Sequence, residues 1–207
     1  MSEGVWVKVW PENYDPNKPG LEGLGGWAEI TSLGNGTTDS KPKRYTGIMV
    51  DGVEFWAFEW TGDGELTTSG GLVDALLVSG GNGAGGAGLA HREILTATEA
   101  PMTVTVSIGV TVAAGAATSA ASFLGTFNSG SGRVYGGAGA TLGGNMNDAS
   151  NRVGVTSDIT GTDKVYGEVS GSPKPNSGDG GISTDGAAGV VIVRVPKDKV
   201  TATGGWV

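Results

Sequence analysis

Polar and apolar residues alternate most regularly at 102–108. Met102, Val104, Val106 and Ile108 fall on one side, and Thr103, Thr105 and Ser107 on the other. A period of two is that of a half-buried antiparallel strand. The same alternation appears at 5–10, where Val5, Val7 and Val9 are interleaved with Trp6, Lys8 and Trp10. Between 43 and 79 the chain reads as a meander. A strand at 44–50 meets Asp51-Gly52, a strong hairpin signal, and a second strand follows at 53–61. Gly62-Asp63-Gly64 then turns into 65–68, and Gly70-Gly71 leads to an apolar strand ending at Ser79. Residues 190–195 are almost wholly β-branched, as in a central buried strand, while 152–156 and 164–169 are weaker strands.

Only 112–122 has a composition that allows a helix. Gly115, Thr118 and the lack of an apolar face at helical spacing argue against one. The pattern predicts an all-β fold, an antiparallel β-sandwich of jelly-roll type with long glycine-rich loops. Leu76, Val78, Val104, Val106, Val191 and Val193 are expected in its core.

Composition divides the chain in two. Residues 1–42 carry Trp6, Trp10 and Trp27 and four of the eight prolines, and read as an N-terminal attachment segment. Tryptophan is favoured at interface hot spots because it buries a large area and still offers an N–H donor. Capping one end of the sandwich is the competing role for the same side chains. Residues 43–207 form the glycine-rich β-sandwich domain.

Forty glycines, about a fifth of the 207 residues, set the character of that second part. The run DALLVSGGNGAGGAG at 74–88 passes from strand to glycine loop, and GDGGISTDGAAG at 178–189 passes from loop back to strand. Glycine loses the most backbone entropy on folding. The loops at 80–88, 130–144 and 178–189 are therefore expected to be ordered by clamping strands or by a neighbouring chain. That requirement is the physical motive for expecting a homo-oligomer, most readily a homotrimer.

A net charge of −8 disfavours nucleic acid as a partner, and no basic cluster exceeds Lys41, Lys43 and Arg44. Without cysteine there is no disulfide, thiolate nucleophile or zinc ribbon. The residues after Met1, SEGVWVKVW, lack the basic and apolar regions of a cleaved leader, and no run approaches the length of a membrane span. Synthesis in a cytoplasm without membrane insertion is expected, with release by lysis.

Several motifs invite a chemical reading. G-x-G-x-x-G occurs twice at 81–88, but LAHREILTAT does not supply the helix that a dinucleotide site requires, so no cofactor is expected. His91 is the sole histidine and reads as a solvated strand-edge residue. Asp15, Asn17 and Gly20 imitate the start of a calcium loop, but Pro19 occupies a ligand position and Gly26 stands where the bidentate glutamate belongs. Asn145, Asn147, Asp148 and Asn151 read as turn formers rather than ligands. Asp179 and Asp185 lie in loops with no evident partner. No catalytic constellation or metal site is expected, and the chain reads as a non-enzyme.

Five segments, taken in order, carry a family likeness: 58–66, 76–81, 104–109, 121–125 and 186–194. They fill the places of an "F-x-x-S-G-T" hairpin, a "vLvVGGGGgGG" segment, a "tVTVGaGG" strand, a "SsFG" segment and a closing "GGaGGvviVRy" strand. Over about residues 44–195 the chain thus resembles the glycine-rich domain of bacteriophage minor tail and tail-fibre proteins. Asn82, Ala84 and Ala87 make its first loop less glycine-pure than that pattern. The resemblance implies a structural virion protein of the tail, at its tip or fibre. Its expected partners are other tail proteins and a host cell-surface glycan, and its assembly is commonly three-fold. A capsid decoration protein and a glycan-binding or glycan-depolymerising tail protein remain alternatives, depolymerisation needing two suitably spaced carboxylates.

Overall fold

The computed structural model describes residues 26–34, 41–81, 87–88, 90–97, 99, 101–104, 106, 154–181 and 184–207. Twelve strands are described: β1 (Ile30–Ser32), β2 (Lys43–Val50), β3 (Val53–Trp60), β4 (Gly64–Thr68), β5 (Gly71–Val78), β6 (Ala90–Ala97), β7 (Met102–Val104), β8 (Val155–Ser157), β9 (Lys164–Tyr166), β10 (Val169–Ser170), β11 (Gly180–Gly181) and β12 (Val190–Pro196). A single 3₁₀ turn, Lys197–Lys199, follows β12, and the described residues contain no α-helix. The protein is mostly β, built on antiparallel sheets.

Five strands form the main sheet in the order β2-β3-β12-β5-β6, all antiparallel. The strand read as central, β12, sits in the middle. The predicted Asp51-Gly52 hairpin joins β2 to β3, with φ of 49° and 85° at the two turn residues and Val50 opposite Val53. Both residues are thus left-handed, as in a type I′ turn, whose twist matches that of the flanking strands.

Both faces of this sheet are covered, which explains why β5 and β12 read as nearly continuous apolar runs. Phe58, Trp60, Val73, Ala75, Leu77, Val191, Val193 and Val195 share a first core with residues of β1, β4 and β7. Those three strands form a second antiparallel sheet, ordered β1-β4-β7. Phe55, Ala57, Leu76, Val78, Val190 and Ile192 point the other way, into a second core with Val155, Ile159 and Tyr166. The six residues expected in the core are all buried.

Tyr45 and Ile48 both belong to this second core, although an odd spacing should send them to opposite faces. Their partners on β3 are Ala57 and Phe55, so β2 carries one extra residue between them. This bulge includes Gly47 at φ 71°. The inserted residue restores the facing that simple alternation would have lost.

Residues 26–34 of the Trp/Pro-rich N-terminal segment are woven into the fold. β1 pairs with β4, and Ala28, Ile30 and Leu33 are buried in the first core. The backbone of 26–28 runs parallel to the start of β5: the Ala28 amide donates to the Leu72 carbonyl, and the Leu72 amide to the Gly26 carbonyl.

Candidate functional site

The two glycine-rich passages lie together because the strands they flank are neighbours. β5 pairs with β12 from Val78 opposite Val190 to Asp74 opposite Arg194. Beyond that ladder the loops continue to exchange backbone hydrogen bonds. The Gly81 amide donates to the Ala187 carbonyl at 2.9 Å, the Gly178 amide to Ala188 at 2.8 Å, and the Gly88 amide to Gly178 at 2.6 Å. Gly178 has φ 69°, and a Cβ there would collide with the Ser79 carbonyl and the Val78 side chain. The packing that these loops require is thus supplied within one chain at Gly81, Gly88 and Gly178. Loop 130–144 lies outside the described residues.

The loop after Ser79 leads into β6, which pairs antiparallel with β5 along its whole length. The G-x-G-x-x-G spacing thus falls between two antiparallel neighbours of one sheet, with 82–86 and 89 outside the described residues. His91 lies on β6, an edge strand of the main sheet, opposite Leu77.

Asp179 differs from what its loop position implied. It is fully buried, and its carboxylate accepts the backbone amides of Glu168 at 3.1 Å and Lys174 at 3.0 Å. It acts as a clamp that supplies partners to two loop amides. Asp185 is exposed.

Trp27 packs edge-on against Phe55, with ring centroids 5.5 Å apart at 81°, and is half-buried beside the second core. Trp6 and Trp10 lie outside the described residues, as do Asp15, Asn17, Gly20, Asn145, Asn147, Asp148 and Asn151.

Two polar clusters on the second-core side escaped the sequence reading. In the first, Asp74 on β5 receives Arg194 from β12 and Arg92 from β6, and Arg92 also pairs with Asp158. Burial alone would lower the pKa of the Arg92 guanidinium. The hydrogen bonds and charge of Asp74, followed by those of Asp158, outweigh it and raise the pKa. Arg194 also lies over the Phe55 ring, 5.4 Å from its centroid. These charges lie against opposite partners and tie three strands to the 154–160 segment. Their role is structural.

The second cluster borders a cleft of about 490 Å³ lined by Glu59, Lys164, Tyr166, Lys174, Asn176 and Ser177, among others. Glu59 reaches it from β3, Lys164 and Tyr166 from β9, and Lys174 to Ser177 from the loop that Asp179 clamps. The Tyr45 hydroxyl donates to Glu59 Oε2 at 3.0 Å, and Lys164 Nζ lies 3.5 Å from the same oxygen. Lys174 Nζ pairs with Glu168 at 2.6 Å. Burial, and then the negative charge of Glu59, push the Tyr45 and Tyr166 phenols above their ordinary pKa. Tyr166 is buried, and among the described residues its hydroxyl has no hydrogen-bond partner. The described residues hold no group of three His, Cys, Asp or Glu able to bind a metal ion.

No family model, no curated protein and no solved structure matches this chain.

Proposed function

We propose that this chain is a non-enzymatic structural component of a phage virion, a minor tail protein at the tail tip or fibre that contributes to host-surface attachment. One observation carries the reading: the second and last landmarks of the glycine-rich pattern, 76–81 and 186–194, are spatial partners. They meet through the β5–β12 ladder and the Gly81–Ala187 hydrogen bond. A pattern of separated landmarks makes physical sense when the segments assemble one closely packed unit in which side chains cannot be accommodated. The five-stranded and three-stranded sheets that share the first core are read as parts of a jelly-roll-type sandwich. Three-fold self-association belongs to the same reading. It draws on the resemblance, since the described loop glycines find their packing within one chain.

Fractionation of purified virions tests the proposal. Mass spectrometry should find the chain in tails. Its presence in heads alone would favour capsid decoration, and its absence from particles would overturn the reading. Light scattering on the purified protein addresses assembly, where a mass near 20.6 kDa would count against a self-sufficient trimer.

A further inference from the structure

Lys41, Lys43 and Arg44, the basic cluster of the sequence, are put to different uses in the structure. Lys43 Nζ lies over the Tyr45 ring, 4.8 Å from its centroid. The Arg44 guanidinium is stacked on two indoles, 4.8 Å from the Trp56 centroid and 4.7 Å from that of Trp206. Lys41 has neither a ring nor a carboxylate partner among the described residues. It lines a pocket of about 370 Å³ whose other described walls are 31–34, from β1 onward, and 202–205. Among the described residues no carboxylate lines this pocket. Glu65 packs its Cβ beside Gly34 but is exposed and outside the lining. Residues 35–40, which join Gly34 to Lys41, lie outside the described residues.

Backbone supplies much of the remaining wall. The Thr201 and Ala202 amides donate to the Ile30 carbonyl at 3.0 and 3.1 Å, and the Val207 amide donates to the Pro42 carbonyl at 3.0 Å. Trp206 packs on Trp56 and Phe58, with ring centroids 6.4 and 6.0 Å away. The stretch between is held at both ends, yet the amides of Thr203, Gly204 and Gly205 find no acceptor among the described residues. Gly204 and Gly205 have φ of 139° and 90°, and a Cβ added to Gly204 would meet nothing within 4 Å. Bare backbone at such positions lets a ligand approach the amides closely. Ser32 Oγ accepts the Gly34 amide at 3.2 Å and keeps its own proton to donate. Unspent donors therefore surround one unpaired ammonium.

We infer that this pocket binds a phosphoryl group, as inorganic phosphate or as a small phosphate monoester. A carboxylate brings two oxygens and one negative charge, whereas a phosphoryl group brings three and a charge of about −1.5 to −2. Three amides, a hydroxyl and an ammonium match the larger set, as in the backbone concavities that cradle phosphates. The volume is in the range of small-molecule sites and admits an organic body beside the phosphoryl group. The chain's net charge of −8 opposes any anion, but exposed charges beyond about 8 Å are largely screened at physiological ionic strength. The inference stands apart from the tail reading and does not rest on it.

Amide shifts of the full chain, titrated at constant ionic strength with inorganic phosphate, glycerol 3-phosphate and acetate, provide the test. Either phosphoryl probe should shift the amides of 203–205 and of Lys41 saturably, and bind more tightly than acetate. Equal affinity for the two would show that the phosphoryl group alone is recognised, and tighter binding of glycerol 3-phosphate would point to a phosphorylated molecule as the source. Both results support the inference. Lys41→Gln should weaken binding about tenfold. Lys43→Gln removes the same charge two residues away, outside the lining, and should leave the affinity unchanged. No saturable shift, acetate bound as tightly as phosphate, or equal losses in the two lysine variants would overturn the inference. None of these outcomes bears on whether the chain is found in tails, which virion fractionation decides separately.

Discussion

Asp74 and Arg194, 120 residues apart in the chain, form a buried ion pair of 2.6 Å between adjacent central strands. Arg194 is committed to Asp74 alone among the carboxylates paired with it, whereas Asp74 also holds Arg92. The two ends of the pair are therefore not equivalent. Asp74→Ala should strand a guanidinium in the second core and cost about 3–5 kcal/mol. Arg194→Met leaves Asp74 paired with Arg92 and puts an apolar chain in its place, so its cost should be clearly smaller. Urea unfolding of both variants checks this order, and equal losses would contradict it.

Gly178 and Gly171 offer a matched pair in one region of the chain. Gly178 combines a left-handed φ with a Cβ position occupied by Ser79 and Val78, whereas a Cβ at Gly171 would meet nothing within 4 Å. Gly178→Ala should destabilise by more than about 2 kcal/mol, since left-handed backbone alone costs roughly 1–2 kcal/mol. Gly171→Ala, at an exposed position, should stay within about 0.5 kcal/mol of the parent. Thermal unfolding distinguishes them.

Much of the main sheet was legible because its determinants are local. Asp51-Gly52 has its turn chemistry in two residues, and β12 shows its central place in its own run of β-branched side chains. The polar clusters were less legible because their partners are distant. Asp74 and Arg194 each break an apolar strand at a position facing the second core, and two such breaks of opposite charge are a signal that they are mates. Nothing local to Asp179 identifies the amides of 168 and 174 as its partners, since the loop must already be closed. The cleft has the same character, its side chains arriving from β3, β9 and a loop. The bulge at Gly47 hides Tyr45 from a simple period-two count.

The N-terminal segment separates into two parts for experiment. Removing 1–42 would delete β1 and expose the partners of Ala28, Ile30 and Leu33 in the first core. Burying an aliphatic side chain of that size is worth about 1.5–3 kcal/mol, so this truncation should be strongly destabilised. Removing 1–25 leaves β1 and Trp27 in place while taking away Trp6 and Trp10. That shorter chain should fail to enter particles if the two tryptophans serve attachment. Normal incorporation of the 26–207 chain would exclude that role.

Two of the four tyrosines, Tyr45 and Tyr166, have phenols held above the ordinary pKa of 10.0 by burial and by Glu59. Below pH 10 both are neutral in the folded and the unfolded chain, and their contribution to stability is complete. Above pH 10 the unfolded chain releases these protons while the folded chain retains them, so stability falls as pH rises toward the folded values. Phenolate absorbance should accordingly show part of the tyrosine signal appearing only with the loss of structure. Tyr166→Phe removes one of the two groups and also a buried hydroxyl that finds no partner among the described residues. It should be as stable as the parent or up to about 1 kcal/mol more stable at neutral pH. Its alkaline loss of stability should be shallower than that of the parent. A parallel pH–stability curve for Tyr166→Phe and the parent would show that this phenol does not govern the alkaline limb.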